Sequence, residues 1–135
     1  AWENKKVLIS LSDKENEKDT VLFIGKTLQK LGFTLLATDG TADFYNANGI
    51  KCDVVNKIGA GRPDVLDSIM NKEVCLVINT PKAKRNYAED RKTIRKVCLK
   101  YKVSYITTLA GAVGGLSCLR AGESGVAYYH EGNGT

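Results

Sequence analysis

The residues best suited to chemistry in this 135-residue sequence follow short apolar runs. The most informative stretch is Ala37-Thr38-Asp39-Gly40-Thr41-Ala42. Gly40 allows a tight turn, and two threonine hydroxyls converge there with the free N–H groups of a helix start. Those are the parts of a phosphate cradle without a P-loop. The competing reading is that Thr38 or Thr41 simply caps the helix, since Ser and Thr are common at that position. Two lysines bear on the choice. Lys57 stands in a neighbouring strand-end loop, and Lys18 opens a helix, where a cation meets the unfavourable end of the dipole unless an anion sits there. Each of these lysines alone reads as a surface residue.

Asn79 closes an apolar run and has an amide to satisfy, either by orienting the loop or by reading a ligand group. Asp64 and Asp67 lie one helical turn apart after Gly59-Ala60-Gly61. They read first as acids that complement a helix dipole, with a general acid–base pair as the sharper alternative. No Ser-His-Asp set or metal cluster can be assembled around His130. Cys52, Cys75, Cys98 and Cys118 are separated by 23, 23 and 20 residues with no C-x-x-C, so zinc spacing is absent. Cys75 lies in an apolar run and Cys98 shares a helical face with Ile94, Val97 and Tyr101; both read as small buried hydrophobes of a reduced intracellular protein.

The elements that must position these groups follow from periodicity. Short β-branched runs alternate with amphipathic stretches, the pattern of a parallel sheet covered by helices. Strands are predicted at Val7 to Ile9, Phe33 to Ala37, Cys52 to Val55, Val74 to Ile78 and Ser104 to Ile106. Val21, Ile24, Leu28 and Leu31 mark a first helix that stops at Gly32, a residue suited to the left-handed position beyond a helix. A short helix is predicted from Ala42 to Ala47. The next starts around Pro63, whose missing N–H suits a first turn, and buries Leu66, Ile69 and Met70. A basic helix runs from Arg91 to Tyr101 and a Gly-rich one from about Thr108 to Arg120, its glycines 111, 114 and 115 explained by close packing. The result is a three-layer α/β/α arrangement of five strands and about five helices. Ligands bind such sheets at the carboxyl ends of the strands, which selects the loops Ser10 to Asp13, Thr38 to Thr41, Lys57 to Arg62 and Asn79 to Arg85.

Length and composition bound the rest. The chain has the size of one domain, and 43% apolar with 26% charged residues excludes the disordered classes. No apolar run reaches the roughly 20 residues of a membrane helix, and no signal-peptide pattern opens the chain. It starts at Ala1, so residues 1–4 read as a leader at a cut site, 5–131 as the domain and 132–135 as a tail. The net charge of +5 is concentrated: nine Lys and Arg lie between Pro81 and Lys102 against only Glu89 and Asp90. Clustered cations suit nucleic acid, but Tyr87, Tyr101 and Tyr105 form no interleaved stacking pattern. No nucleic-acid partner is therefore expected, and a solvated helix face with a few residues aimed at a small anion is the preferred reading.

Taken together the loops resemble a known family. Val7-Leu8-Ile9-Ser10 with Ser12-Asp13-Lys14, Gly32-Phe33 with Ala37-Thr38-Asp39-Gly40-Thr41-Ala42, and Gly61-Arg62-Pro63 are similar to the methylglyoxal-synthase-like (MGS-like) domain. Val77-Ile78-Asn79-Thr80, Ile94-Arg95 and Tyr105-Ile106-Thr107-Thr108-Leu109 narrow the resemblance to the regulatory domain at the carboxyl terminus of the carbamoyl phosphate synthetase large subunit. The likeness spans roughly residues 5 to 131 and implies a five-stranded parallel sheet in order 3-2-1-4-5.

It implies further that this domain carries no catalytic residues and needs no cofactor of its own. The parent, a cytoplasmic ligase of pyrimidine and arginine synthesis, uses ATP and Mg with ammonia from a glutaminase subunit. The domain's partners would be an allosteric effector, the rest of the large subunit and, at an oligomer contact, further copies. The effector implied is a nucleotide monophosphate, IMP or UMP. The family's phosphate-holding positions match Lys18, Thr38, Thr41 and Lys57, and Asn79 and Arg91 match positions near the ribose or base. Acetylglutamate-regulated relatives carry a Trp where Lys57 stands and Asn where Lys82 and Arg91 stand. The enzymatic alternative, methylglyoxal synthase acting on dihydroxyacetone phosphate, uses Asp residues in the loops after the third and fourth strands plus a His. Here the fourth-strand loop reads Asn79-Thr80-Pro81, and the one His is at 130. The IMP cyclohydrolase domain shares the Ser-Asp-Lys and Gly-Thr-Ala elements but has a downstream Lys-Thr-Leu-His-Pro stretch that is absent here.

Overall fold

The computed structural model describes residues 5–12, 14–80 and 88–120, for residues 88 and 118–120 the backbone only. Lys82, Lys84, Arg85 and His130 therefore lie outside the described residues, as does the side chain of Cys118.

Chain order is β1 (Lys6–Ser10), α1 (Lys18–Lys30), β2 (Thr34–Ala37), α2 (Asp39–Ala47), β3 (Cys52–Val54), α3 (Val65–Met70), β4 (Val74–Asn79), α4 (Ala88–Tyr101), β5 (Ser104–Ile106) and α5 (Leu109–Arg120). All pairings are parallel and the strand order is β3-β2-β1-β4-β5, the order that the family resemblance implies. Alternation along each strand divides the core between two faces. Val7, Ile9, Leu35, Ala37 and Ile78 pack with α1, α2 and α5, whereas Leu8, Leu36, Val77 and Tyr105 pack with α3 and α4. At the start of β4 the register shifts: Lys6 pairs with Val74 and Val7 with Leu76, leaving Cys75 as the extra residue.

Gly32 sits at φ 96° just past α1, as its place in the sequence predicts, and the N–H groups of Gly32 and Phe33 close the helix on Gln29 and Leu28 carbonyls. Other local expectations are corrected. Helix α2 starts at Asp39, three residues earlier than the apolar pattern marks, because its first turn is polar. Pro63 is not in the first turn of α3. Asp64 is the N-cap and Pro63 precedes it, so the helix has six residues. Val65 and Ile69, spaced i and i+4, point inward, while Leu66 is half-buried and Met70 exposed. The glycine expectation for α5 holds at Gly115, where an added Cβ would lie 3.2 Å from Ile106 Cδ1, and fails at Gly114, where nothing lies within 4 Å. A tighter approach lies elsewhere: a Cβ on Gly25 in α1 would lie 2.5 Å from Tyr45 Cε1 in α2.

Candidate functional site

The strand ends converge on a pocket on the α3–α4 side of the sheet. Its floor is Leu8, Ile9 and Ser10 of β1 with Val77 of β4; Ile58, Val65 and Ile94 wall it. The polar rim is Thr38 at the end of β2, Lys57 after β3, Asn79 and Thr80 closing β4, and Asp90 and Arg91 in the first turn of α4. Four of the six residues singled out from the sequence, Thr38, Lys57, Asn79 and Arg91, are thus brought to one cavity.

Each is positioned by a local cause. Thr38 is the N-cap of α2, with extended backbone (φ −74°, ψ 165°), and its carbonyl accepts from Ala42 N–H at 3.0 Å; its side chain makes no capping bond. The hydroxyl that usually closes a helix start is left for the pocket. Lys57 leaves a loop pinned at its base by a parallel bridge between Asn56 and Asp64, with Val65 N–H donating to Asn56 O at 3.0 Å and Asn56 Nδ2 donating to Pro63 O at 3.1 Å. Asn79 is buried at the end of β4, with the Tyr105 hydroxyl as its polar neighbour. Burial raises the Tyr105 pKa, and Asn79, with the nearby Arg91 and Arg95 charges, partly offsets that rise. Arg91 is half-buried, and its Nε is buried with no hydrogen-bond partner. A buried polar group left unmatched costs about 1–3 kcal/mol.

Thr41 and Lys18 are placed differently. Thr41 is 2% exposed, and its Oγ1 accepts from Leu11 N–H at 3.1 Å, which ties the loop after β1 to the start of α2. Lys18 is exposed in the first turn of α1 and is not among the pocket residues. Lys14 is the lysine that reaches the α2 start. Its Nζ donates to Leu11 O at 3.0 Å and lies 4.0 Å from where a Cβ on Gly40 would be. The Ser12-Asp13-Lys14 motif assigns Lys14 no role of its own; its place in the loop after β1 is the one signal the sequence offers. Thr80 likewise has a positioning role that its residue type alone does not reveal. Its N–H donates to Ser10 O at 2.9 Å and its Oγ1 accepts from Ser12 N–H at 3.0 Å, so it joins the β1 and β4 loops.

The Asp64–Asp67 pair is structural. Asp64 Oδ1 accepts from Asp67 N–H at 3.1 Å and Asp67 Oδ2 from Asp64 N–H at 2.9 Å, a reciprocal capping box. Arg62 grips the Asp67 carboxylate with Nη2 at 2.6 Å and Nε at 3.2 Å. The hydrogen bond from Arg62, with the Asp64 backbone N–H, lowers the Asp67 pKa to about 2. Neither acid lines the pocket, so the acid–base alternative is not realised. Burial pushes the thiols of Cys52 and Cys98 up to about 12 and that of Cys75 to about 11, which keeps all three protonated and unreactive at neutral pH. Among the described residues no three His, Cys, Asp or Glu side chains group so as to hold a metal ion, and no helix is long and apolar enough to cross a membrane.

The fold is a doubly wound parallel sheet with a polar-rimmed pocket at its strand ends, and the family model of the MGS-like domain matches residues 20–107. The chain belongs to this family. Its relatives include the carbamoyl phosphate synthase large chain of Archaeoglobus fulgidus, 41% identical over 131 residues, covering 93% of this chain and 12% of that protein. The carbamoyl phosphate synthase large chain, C-terminal section, of Methanopyrus kandleri is 43% identical over 105 residues (78% and 19%). That of Aquifex aeolicus is 38% identical over 119 residues (88% and 22%). The chain spans between about an eighth and a fifth of the length of these curated relatives. Among solved structures, ForH superimposes with a TM-score of 0.63 over 89% of this chain and 82% of its own, at 18% identity, a likeness of fold alone.

Proposed function

We propose that this chain is an effector-binding domain of a carbamoyl phosphate synthase large chain, and that its pocket holds the phosphate of a nucleoside monophosphate of the IMP or UMP type. The observation that carries this reading is Thr38, an N-cap residue whose hydroxyl caps nothing, at the rim of a pocket shared with Lys57 and Arg91. Hydroxyl, helix start and ammonium suit a phosphate oxygen cluster, and the apolar walls from Ile58, Val65 and Ile94 suit the flat faces of a base. Thr41 acts from behind, holding the first turn of α2 against Leu11. Charge-assisted hydrogen bonds contribute about 1.5–3 kcal/mol each. Two or three support micromolar binding, about −8 kcal/mol, after the cost of association. Regulation follows if the bound nucleotide favours one state of the whole synthase by a coupling of about 1–3 kcal/mol. Methylglyoxal synthase chemistry is not favoured, since Asp64 and Asp67 are engaged in the capping box and the Arg62 pair.

Titration calorimetry with IMP, UMP and inorganic phosphate tests the site. Binding of a nucleotide is expected to be competed by phosphate and weakened roughly 10- to 150-fold by Thr38→Val or Lys57→Met, the loss of one charge-assisted bond of about 1.5–3 kcal/mol. Absence of heat with all three ligands at millimolar concentration would overturn the reading.

A further inference from the structure

All five strands run in the same direction, so their starts lie at one end of the sheet, opposite the pocket. That end is lined with lysine. Lys5 and Lys6 open β1, Lys51 directly precedes β3, and Lys72 and Lys102 stand two residues before β4 and β5. Lys30 and Lys100 lie in the last turns of α1 and α4. Lys6 is half-buried and the other six are exposed. With neighbouring strands about 4.8 Å apart, the row spans roughly 19 Å. The acids beside it among the described residues are Glu73, which pairs with Lys6 at 3.8 Å, and Asp53, one residue inside β3. The other six lysines form no ion pair among the described residues.

Backbone geometry sets two of these lysines apart. Helices α1 to α4 close alike, on a residue of positive φ whose N–H donates to the carbonyl three residues earlier. After α1 and α2 that residue is Gly32 (φ 96°) and Gly49 (φ 77°), which reach this region without strain. After α3 and α4 it is Lys72 (φ 63°) and Lys102 (φ 58°), where a side chain costs stability that glycine would not. The helix dipole favours a cation at these ends, but Lys5, Lys6 and Lys51 lie outside any last helical turn. Met70 and Leu99, both exposed, end α3 and α4 beside the lysines. A phosphate backbone offers such apolar side chains nothing, and a second copy would set lysine against lysine. Apolar and cationic groups together suit a protein surface rich in carboxylates. The chain also enters β1, the central strand, at this end. In a longer large chain a preceding domain would thus be tethered beside the lysines, where a modest attraction suffices for docking.

We propose that this lysine-lined end docks on an acidic protein surface elsewhere in a synthase large chain, which rests on the reading of the chain as part of such a protein and not on the nucleotide pocket at the opposite end. Lysine acetylation read by mass spectrometry tests it, on the whole large chain and on the 135-residue chain, the latter once circular dichroism shows that it folds alone. Lys51, Lys72, Lys100 and Lys102 should react about tenfold more slowly in the whole chain, a docked state favoured by about 1.4 kcal/mol. The slowing should vanish at about 1 M salt, where the Debye length is about 3 Å. Carbodiimide coupling, which joins an amine to a carboxylate in contact with loss of water, should link the same lysines to Asp or Glu outside residues 1–135. The double variant Lys72→Gly with Lys102→Gly is relieved of backbone strain, so it should melt no lower than the unaltered chain and should restore the reactivity of Lys51 and Lys100 in the whole chain. Equal reactivity in the two chains, slowing without carboxylate links, slowing that nuclease abolishes, or a double variant that melts lower or stays protected would each overturn the proposal. IMP and UMP binding to the 135-residue chain is measured apart from these readouts, so failure of the docking leaves the pocket reading standing, and the reverse.

Discussion

Replacing Thr41 by Val removes a hydrogen-bond acceptor and leaves the side-chain shape nearly unchanged. Thr41 is 2% exposed, and its Oγ1 lies 3.1 Å from the N–H of Leu11, itself 1% exposed. In the variant that N–H faces a methyl group. A buried donor stripped of its acceptor costs about 1–3 kcal/mol, and the added apolar group returns less than about 1 kcal/mol. A net loss of about 1–2 kcal/mol is expected. At a urea m-value of about 2 kcal/mol/M the unfolding midpoint then falls by about 0.5–1 M. Thr38→Val is the control, because the Thr38 hydroxyl makes no capping bond; its stability should stay within about 0.5 kcal/mol of the unaltered chain. Urea titrations followed by far-ultraviolet circular dichroism measure both. A Thr41→Val variant as stable as the unaltered chain, or a larger loss in Thr38→Val, would refute this division of labour between the two hydroxyls.

Two further perturbations follow from the same contacts. Asp67 has a folded-state pKa lowered to about 2 by Arg62 and the Asp64 N–H. A depressed carboxylate stabilises the fold above its unfolded pKa, so stability should decline as pH falls from about 4 towards 2; Asp67→Asn should flatten that part of a urea-midpoint profile, and an unchanged profile would contradict the assignment. Gly25→Ala and Gly114→Ala should differ in sign. The first sets a Cβ 2.5 Å from a Tyr45 ring held by its own hydroxyl bond to Val21 O at 2.9 Å, whereas the second meets nothing within 4 Å. Overpacking costs about 1–3 kcal/mol against a helix-propensity gain of about 1 kcal/mol. Thermal melting should therefore show a loss for Gly25→Ala and a gain for Gly114→Ala.

The sequence by itself determined the repeating units and where chemistry had to be sought. Val7, Leu8 and Ile9 read as a strand, and Val21, Ile24 and Leu28 as a helix face, because periods of two and 3.6 follow from backbone geometry alone. The rule that ligands meet the carboxyl ends of parallel strands selects the loops of Thr38, Lys57 and Asn79, the family resemblance adds Arg91, and all four line one pocket. Helix ends were less legible. A polar first turn hid the start of α2, and the cap of α3 lay in Asp64 rather than beside Pro63. Only the tertiary structure decided what each side chain meets. Thr38 and Thr41 are neighbours in sequence with the same chemistry, yet one hydroxyl is free at a pocket and the other serves Leu11, 30 residues earlier. Lys14 donates to Leu11 O near Gly40, neither Lys14 nor Lys18 lines the pocket, Asp67 answers to Arg62, and Arg91 Nε has no hydrogen-bond partner. Periodicity assigns a residue to a face, but a hydrogen bond is made or lost within a few tenths of an ångström. That distance is fixed only when segments remote in the chain pack against one another.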